Sequence, residues 1–427
     1  MAAGLDFGTT NSTIALAEGD AGVRVARFPY SGGVTEAFRS LLYLHRIREN
    51  GRSTIKSYSG PGGIEEYLRS DEKGRLVQSL KSFLSSRSLQ TTEVFGRRFR
   101  LEELIARILA DIRAGAAAQF GSAAVNRVVV GRPVRFVGAE SEEDDEYALT
   151  RLKEALLMAG FEEVRFEYEP VGAAYHYEST LDHDELVLIG DFGGGTSDFS
   201  LVRVGPSLRR SGVTRRVIGN EGVGVAGDSF DARIIRQVVS PALGAGSELE
   251  SDGKRLPVPN WVYFKLERWH HLSFLKSADT LNMLKSVRAQ ALEREKIEAL
   301  LYLIQHDLGY QLHRAVQSAK IALSHEESAR LHFSDGDAEI DERFTRREFE
   351  SWIARELRDI EDRVDALLSK TGTAAGEVDV VFLTGGSSLV PAVRRIFEGR
   401  FGQEKIRTGD EFTSVARGLA LRAAELG

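Results

Sequence analysis

Two hydrophobic patterns alternate along the chain. Short continuous apolar runs, such as Val128, Val129, Val130 and Leu186, Val187, Leu188, Ile189, have the length of strands buried on both faces. Elsewhere a glycine-rich turn is followed by alternating apolar and polar residues, a strand, turn, strand signature. This second pattern occurs twice. Asp6, Phe7, Gly8, Ser12 and Leu16 recur as Asp191, Phe192, Gly193, Ser197 and Leu201 at a constant offset of 185 positions. Each copy also has a later strand ending in small residues, 127–131 in one and 380–386 in the other, and each is followed by helical sequence. Such a repeat decides architecture. It predicts two related α/β domains whose glycine turns face a shared cleft, because ligands of these sheets bind beyond the carboxyl ends of the strands.

Two insertions, 35–122 and 232–339, separate the recurring parts and read as subdomains. The second is the more helical: 261–323 carries heptad-like apolar spacing that includes Leu300, Ile304, Leu308 and Leu312. Its entry, 240–259, is rich in Pro, Gly and Ser and predicts a loop. Ser141 followed by Glu142, Glu143, Asp144 and Asp145 predicts a capped helix start, with carboxylates opposing the positive end of the helix dipole.

Composition narrows the picture. The 427 residues are 42% hydrophobic and 28% charged, which suits a soluble protein with more than one core. With no cysteine there is no disulfide framework, thiolate metal site or thiol nucleophile. No apolar run nears the roughly 18 residues of a membrane helix, and the N-terminal residues lack a basic and apolar leader pattern, so the expected location is cytoplasmic. The formal charge of −7 leaves no footprint for a nucleic-acid backbone. The basic group Arg209, Arg210, Arg215 and Arg216 reads as a solvated turn.

Phosphate needs several donors at close range, and glycine lets backbone amides approach without a Cβ in the way. Gly8 in one turn and Gly193, Gly194 and Gly195 in the other fit that need. Thr9, Thr10, Thr196 and Ser197 add hydroxyls. Asp6 and Asp191, at the ends of the preceding strands, suit Mg²⁺ held through water. For Asp191 and Asp198 the blander alternative is an Asx-type bond to local amides. Lys81, taken alone, reads as a solvated lysine on a helical stretch. The segment 261–274 holds two of the three Trp and reads as subdomain core ahead of a partner surface. Its adjacent His270 and His271 would point about 100° apart on a helix, unsuited to one metal.

With these residues in view, the sequence resembles the ATPase domain of the Hsp70 family, in the actin, Hsp70 and sugar-kinase superfamily, over nearly the whole chain. Asp6, Gly8, Thr9, Thr10 and Asn11 match that family's first phosphate loop, Asp-x-Gly-Thr-Thr-Asn. Asp191, Gly193, Gly194, Gly195, Thr196 and Asp198 match the second, Asp-x-Gly-Gly-Gly-Thr-x-Asp. Glu169 opens a stretch similar to Glu-Pro-x-x-Ala-Ala, which implies that it helps place the metal and the attacking water. Gly227 and Asp228, with Phe230 and Asp231, resemble a Gly-Gly-x-x-Phe-Asp turn. Gly385, Gly386 and Ser387, with Pro391, resemble the adenosine loop. Lys81 sits where the family keeps a lysine that reaches the γ-phosphate.

The resemblance implies a two-lobed actin-like ATPase fold of the α/β class, built from duplicated RNase H-like domains with two inserted subdomains. Lobe I would span 1–187, with core 1–34 and 123–187, the C-terminal helix 408–427 and the insertion 35–122. Lobe II would span 188–407, with core 188–231 and 340–407 and the helical insertion 232–339. It further implies ATP and Mg²⁺ as cofactors, slow hydrolysis with Lys81, Glu169, Asp191 and Asp198 as catalytic residues, and a monomer that meets protein clients or a co-chaperone-like partner, with neither nucleic acid nor membrane. There are departures. Where the family grips adenosine through Glu-x-x-Lys-Arg-x-x-Ser, Lys320 and Ser324 remain but the arginine is Ile321, and a second expected arginine is Leu389. No peptide-binding domain follows in this sequence. A nucleotide-dependent scaffold or filament, a pseudo-ATPase, and a small-molecule kinase of the same superfamily are the alternatives.

Overall fold

The repeat seen in the sequence is a repeat of topology. The computed structural model describes residues 2–19, 22–49, 52–70, 74–210, 216–267, 275–409 and 413–426. They divide into two compact units, one of Met1–Gly227, Arg358–Leu389 and Val393–Gly427, the other of Asp228–Leu357 and Val390–Ala392.

The first unit holds both copies. The first copy runs β1 (Ala3–Phe7), β2 (Asn11–Ala17), β3 (Val23–Val25), helix α1 (Leu101–Phe120), β4 (Arg127–Arg132), α2 (Glu142–Met158), β5 (Glu163–Tyr168) and α3 (Glu169–Glu178). The second runs β6 (Glu185–Phe192), β7 (Ser197–Val204), β8 (Arg216–Val223), α4 (Ala354–Thr371), β9 (Val380–Thr384), α5 (Pro391–Phe401), β10 (Ile406–Thr408) and α6 (Ser414–Leu426). Strand orders correspond: β5-β4-β1-β2-β3 in one sheet, β10-β9-β6-β7-β8 in the other. Register corresponds too. Asp6 pairs antiparallel with Thr13, and Asp191, 185 positions later, with Asp198. The central strands are buried apolar runs, as expected of parallel strands covered by helices on both faces.

On one face of the first sheet, Leu104, Ile105, Ile108 and Leu109 of α1 pack with Leu152, Ala155 and Leu156 of α2. A second core gathers Ala173 and Ala174 of α3 with Val415, Leu419 and Ala423 of α6 against Val187, Ile189, Val202, Val380 and Phe382. Here α3 and α6 meet backbone to backbone: a Cβ on Gly418 would lie 1.7 Å from the carbonyl oxygen of Gly172. The same helix lies on β1, where a Cβ on Gly4 would stand 2.2 Å from the amide nitrogen of Ala420. The insertion 35–122 adds a three-stranded sheet of Leu41–Glu49, Arg52–Ser59 and Arg75–Gln78. Ser141 caps α2, accepting from the Asp144 amide, as its sequence predicted.

The second unit departs from the sequence reading at three places. Among the described residues the helical run 261–323 is four helices, Trp261–Leu266, Ala278–Gln290, Arg294–Gln305 and Gly309–His325. Leu300, Ile304, Leu308 and Leu312 are all buried, but the backbone breaks at Asp307, whose φ is 59°. The supposed loop 240–259 contains a hairpin, Glu248–Ser251 with Lys254–Pro257, turning at Asp252 (φ 51°) and Gly253 (φ 72°). Of the aromatic segment, Val262 and Tyr263 are buried, the Tyr263 hydroxyl donating to the Leu243 carbonyl, while Trp261 and Phe264 are exposed. Trp269, His270, His271 and Phe274 lie outside the described residues, as does Arg215. Among the described residues no helix is long and apolar enough to cross a membrane.

The glycines give paired stability predictions of opposite sign. Gly418→Ala overpacks the α3–α6 crossing and should cost about 1–3 kcal/mol. Gly399→Ala, in α5 with nothing within 4 Å of its Cβ position, should add about 0.4–1 kcal/mol through reduced unfolded-state entropy. Urea unfolding monitored by circular dichroism reads both.

Candidate functional site

Both glycine turns are closed by backbone contacts, and at the first there is no room for a side chain. At Gly8 a Cβ would lie 2.2 Å from the Asn11 carbonyl oxygen. In the second turn the Gly193 amide donates to the Thr196 carbonyl at 2.9 Å, and Gly227 donates to Gly193 at 3.4 Å. The turns approach one another: the Cβ position of Gly195 is 3.3 Å from the Thr9 hydroxyl oxygen and 3.5 Å from that of Ser82. Thr9 and Thr196 are buried, whereas Thr10, Asn11, Gly194 and Gly195 keep partial exposure and Gly193 is exposed. Gly385, at φ 84°, follows β9, and its Cβ position falls 2.2 Å from the Phe192 carbonyl oxygen, so the 385–387 loop sits against the end of β6. Gly386 is exposed and Ser387 buried. Ser197 is not a free hydroxyl: fully buried, it donates to the Val225 carbonyl at 2.6 Å.

Lys81 is not the solvated helical lysine that its sequence context suggests. It sits on a one-turn 3₁₀ helix, Leu80–Phe83, after Ser79, which is held at φ 54°, and it is 6% exposed. Its Nζ donates to Glu169 Oε1 at 2.6 Å. Glu169 is the first residue of α3 and is itself buried, so the positive end of that helix supports its charge. Nor is Asp198 an Asx-turn residue: Oδ1 accepts from the Val134 amide, in the loop after β4, at 2.8 Å.

Asp6, Asp191 and Asp198 converge electrostatically on this ion pair. Burial raises the Asp6 carboxyl to about 7, assisted by Glu169 and opposed by Lys81. Burial and then Glu169 raise Asp198 to about 7 as well, against hydrogen bonds from Thr196 and Val134. Asp191 is pushed well above the usual carboxylate range by burial, followed by Glu169, Asp6 and Asp198. Burial pulls Lys81 down, but Glu169, Asp6 and Asp198 together more than offset it and hold the ammonium above its ordinary value. Four carboxylates thus face one ammonium. Among the described residues no three His, Asp or Glu are placed to ligate one ion directly. Hard oxygen donors in surplus, repelling one another, are the donor set that suits Mg²⁺.

The second unit contains Asp228, Lys320 and Ser324. Lys320, on Gly309–His325, pairs with Asp231 at 2.7 Å, and His313 Nε2 lies 3.8 Å from the same carboxylate. Asp231, the buried anchor of Lys320, was legible as the last residue of the 226–231 turn but not as its partner. Ile321 is 61% exposed. Val134 and Ser82 are site residues that no motif marks.

Two sheets that share one five-strand order, each with a glycine turn at the end of its central hairpin, define the actin-like ATPase fold. The family model described as Hsp70 protein matches residues 72–252 and 301–427. The chain belongs to the Hsp70 family. It is 26% identical over 427 residues to the chaperone protein DnaK of Thermosipho melanesiensis, covering 99% of this chain and 59% of that protein. It is likewise 26% identical over 438 residues to the DnaK of Thermosipho africanus, covering 99% and 58%. The chain therefore spans a little under three fifths of the length of these relatives.

The raised carboxyls make stability pH-dependent. Between the unfolded value of 3.8 and about 7, the folded protein holds protons on Asp6 and Asp198 that the unfolded chain has lost. Their stabilising contribution is complete below 3.8 and is lost as pH rises through 7. In EDTA and without nucleotide, Tm should fall from pH 5 to pH 8, and Asp191→Asn should flatten that fall and raise Tm at pH 8. An equal slope in wild type and variant would contradict the assignment.

Proposed function

We propose that the chain binds ATP with Mg²⁺ at the two facing turns and hydrolyses it slowly, acting as a nucleotide-dependent switch of the chaperone type. The observation that carries this reading is the buried Lys81–Glu169 pair amid Asp6, Asp191 and Asp198. A buried lysine kept charged beside surplus carboxylates has its counterpart in a polyphosphate accompanied by a divalent cation. Backbone amides of 8–10 and 194–196 supply donors for phosphate oxygens. Asp6 and Asp191 would hold Mg²⁺ through water, and the ion, when bound, neutralises phosphate charge. Lys81 presents its ammonium to the terminal phosphoryl group. Glu169, fixed by that ammonium, orients the attacking water. Phosphoryl transfer requires mostly such positioning and charge neutralisation.

For the adenosine, the family resemblance assigns Lys320 and Ser324, with the aliphatic Ile321 where the family keeps an arginine. The cation–π contribution of an arginine, about 0.5–2 kcal/mol, is missing.

Single-turnover hydrolysis and nucleotide binding, measured for wild type and Lys81→Ala, test the reading. Wild type should hydrolyse ATP, and the variant should bind it but turn over about 10²–10³ times more slowly, the usual loss for one charge-stabilising donor. Binding without hydrolysis by both would make the site a sensor or scaffold. Separately, Ile321→Arg should tighten ATP binding about two- to thirtyfold, read by calorimetry.

A further inference from the structure

Lys81 is fixed by an irregular segment, and that segment is fixed by one buried arginine. Residues 84–90, directly after the Lys81 turn, form neither helix nor strand. Their carbonyl oxygens therefore lack ladder partners, and buried backbone acceptors must find them elsewhere. Arg151 of α2, 4% exposed, supplies them. Its Nη1 donates to the carbonyls of Phe83 (3.3 Å), Leu84 (3.1 Å) and Ser86 (3.1 Å), and its Nη2 to that of Leu89 (3.1 Å). Its Nε donates to the carboxylate of Glu102 on α1, which is also buried. The Tyr147 ring covers the guanidinium at 5.3 Å.

The geometry of this hub is specific to arginine. A planar fork reaches four carbonyls and one carboxylate at once, the two Nη1 hydrogens being shared among three of the carbonyls, and no ammonium can span them. The buried α1–α2 contact around it is apolar, with Leu104, Ile105, Leu152 and Leu156, the second ion pair, Arg100 with Glu154, lying at the exposed start of α1. Buried ion pairs add little net stability over hydrophobic residues of similar size, so packing the two helices together does not require one here. What the pair adds is placement. The Leu84 amide donates to the Lys81 carbonyl at 3.2 Å, and the Leu84 carbonyl accepts from Arg151, so two hydrogen bonds connect the guanidinium to the lysine backbone. From the other side, Ser85 donates to the Val137 carbonyl at 2.5 Å, tying the segment to the loop that also provides the Val134 amide for Asp198.

We propose that Arg151, neutralised by Glu102, is a positioning residue that holds segment 83–89 as the strut fixing Lys81 against Glu169. Its effect on turnover rests on the function proposed for Lys81; its effect on the position of Lys81 does not. The test therefore reads both. Lys81 is labelled with an amine-selective acetylating reagent in the nucleotide-free full chain, its rate followed by peptide mass spectrometry with exposed Lys153 as internal standard, and single-turnover hydrolysis and ATP affinity are measured on the same preparations. The variants are Arg151→Lys, the double variant Arg151→Met with Glu102→Met, which leaves no unpaired buried charge, and Leu156→Ala, which weakens the same helix contact without touching the segment.

In both arginine variants, Lys81 labelling should rise roughly ten- to hundredfold, as expected for the loss of one or two charge-assisted hydrogen bonds. Hydrolysis should fall by a similar factor with ATP affinity within twofold of wild type. Leu156→Ala should lower Tm yet leave Lys81 labelling unchanged. Wild-type labelling of Lys81 in the double variant, or an equal rise in Leu156→Ala, overturns the proposal. If wild type does not hydrolyse ATP, the proposed function fails, and the labelling rates alone still decide the role of Arg151.

Discussion

One ammonium among four carboxylates is the constraint around which the first unit is organised. Asp6, Asp191 and Asp198 come from strand ends, Glu169 from a helix start and Lys81 from an insertion. No segment of the chain contains the site, and every segment that contributes to it is anchored by something else. The mutual repulsion of the carboxylates works against the folded state. It is tolerated because the sheets that carry them are covered by two large apolar cores. Stability is located in the sheets and helices, and charge frustration is concentrated where the strands end.

The duplication explains the scaffold but not the chemistry. Equivalent strands pair in equivalent registers, yet the position opposite Asp6 is Thr13, and the position opposite Asp191 is Asp198. One copy therefore brings a single carboxylate to its turn and the other brings two. The lysine has no equivalent in the second copy, since it enters with the insertion 35–122. Two similar halves thus provide similar amide-lined turns, and their differences provide the polarity of the site.

Much of this was legible in the residues because glycine turns announce themselves. Gly8 and Gly385 are places where a Cβ has no room or where φ is positive, and their pattern is local. Lys81 was not legible from its surroundings: its burial depends on Glu169, 88 positions away, and nothing near it in sequence distinguishes it from a surface lysine. Ser197 looked like a phosphate donor because its neighbours are donors, but its hydroxyl is taken by Val225. The hairpin within 240–259 carried a readable sign, Asp252 followed by Gly253 between short alternating stretches, which the abundance of Pro, Gly and Ser obscured. The break at Asp307 carried none, because the apolar spacing continues across it and all four leucine and isoleucine side chains stay buried.

The contact between Gly172 and Gly418 has a mechanical meaning. Where two helices touch through their main chains, sliding drives an α-carbon into a carbonyl, whereas turning one helix about the point of contact leaves that point intact. The crossing is a fulcrum. Glu169 is three residues from Gly172, about 4.5 Å along the helix axis at 1.5 Å per residue. Any rotation there sweeps the distant ends of both copies through long arcs and displaces Glu169 by only a small fraction of that travel. Glu169 sits where the lever arm is short, so a turn about this crossing would move the periphery far more than it moves that carboxylate.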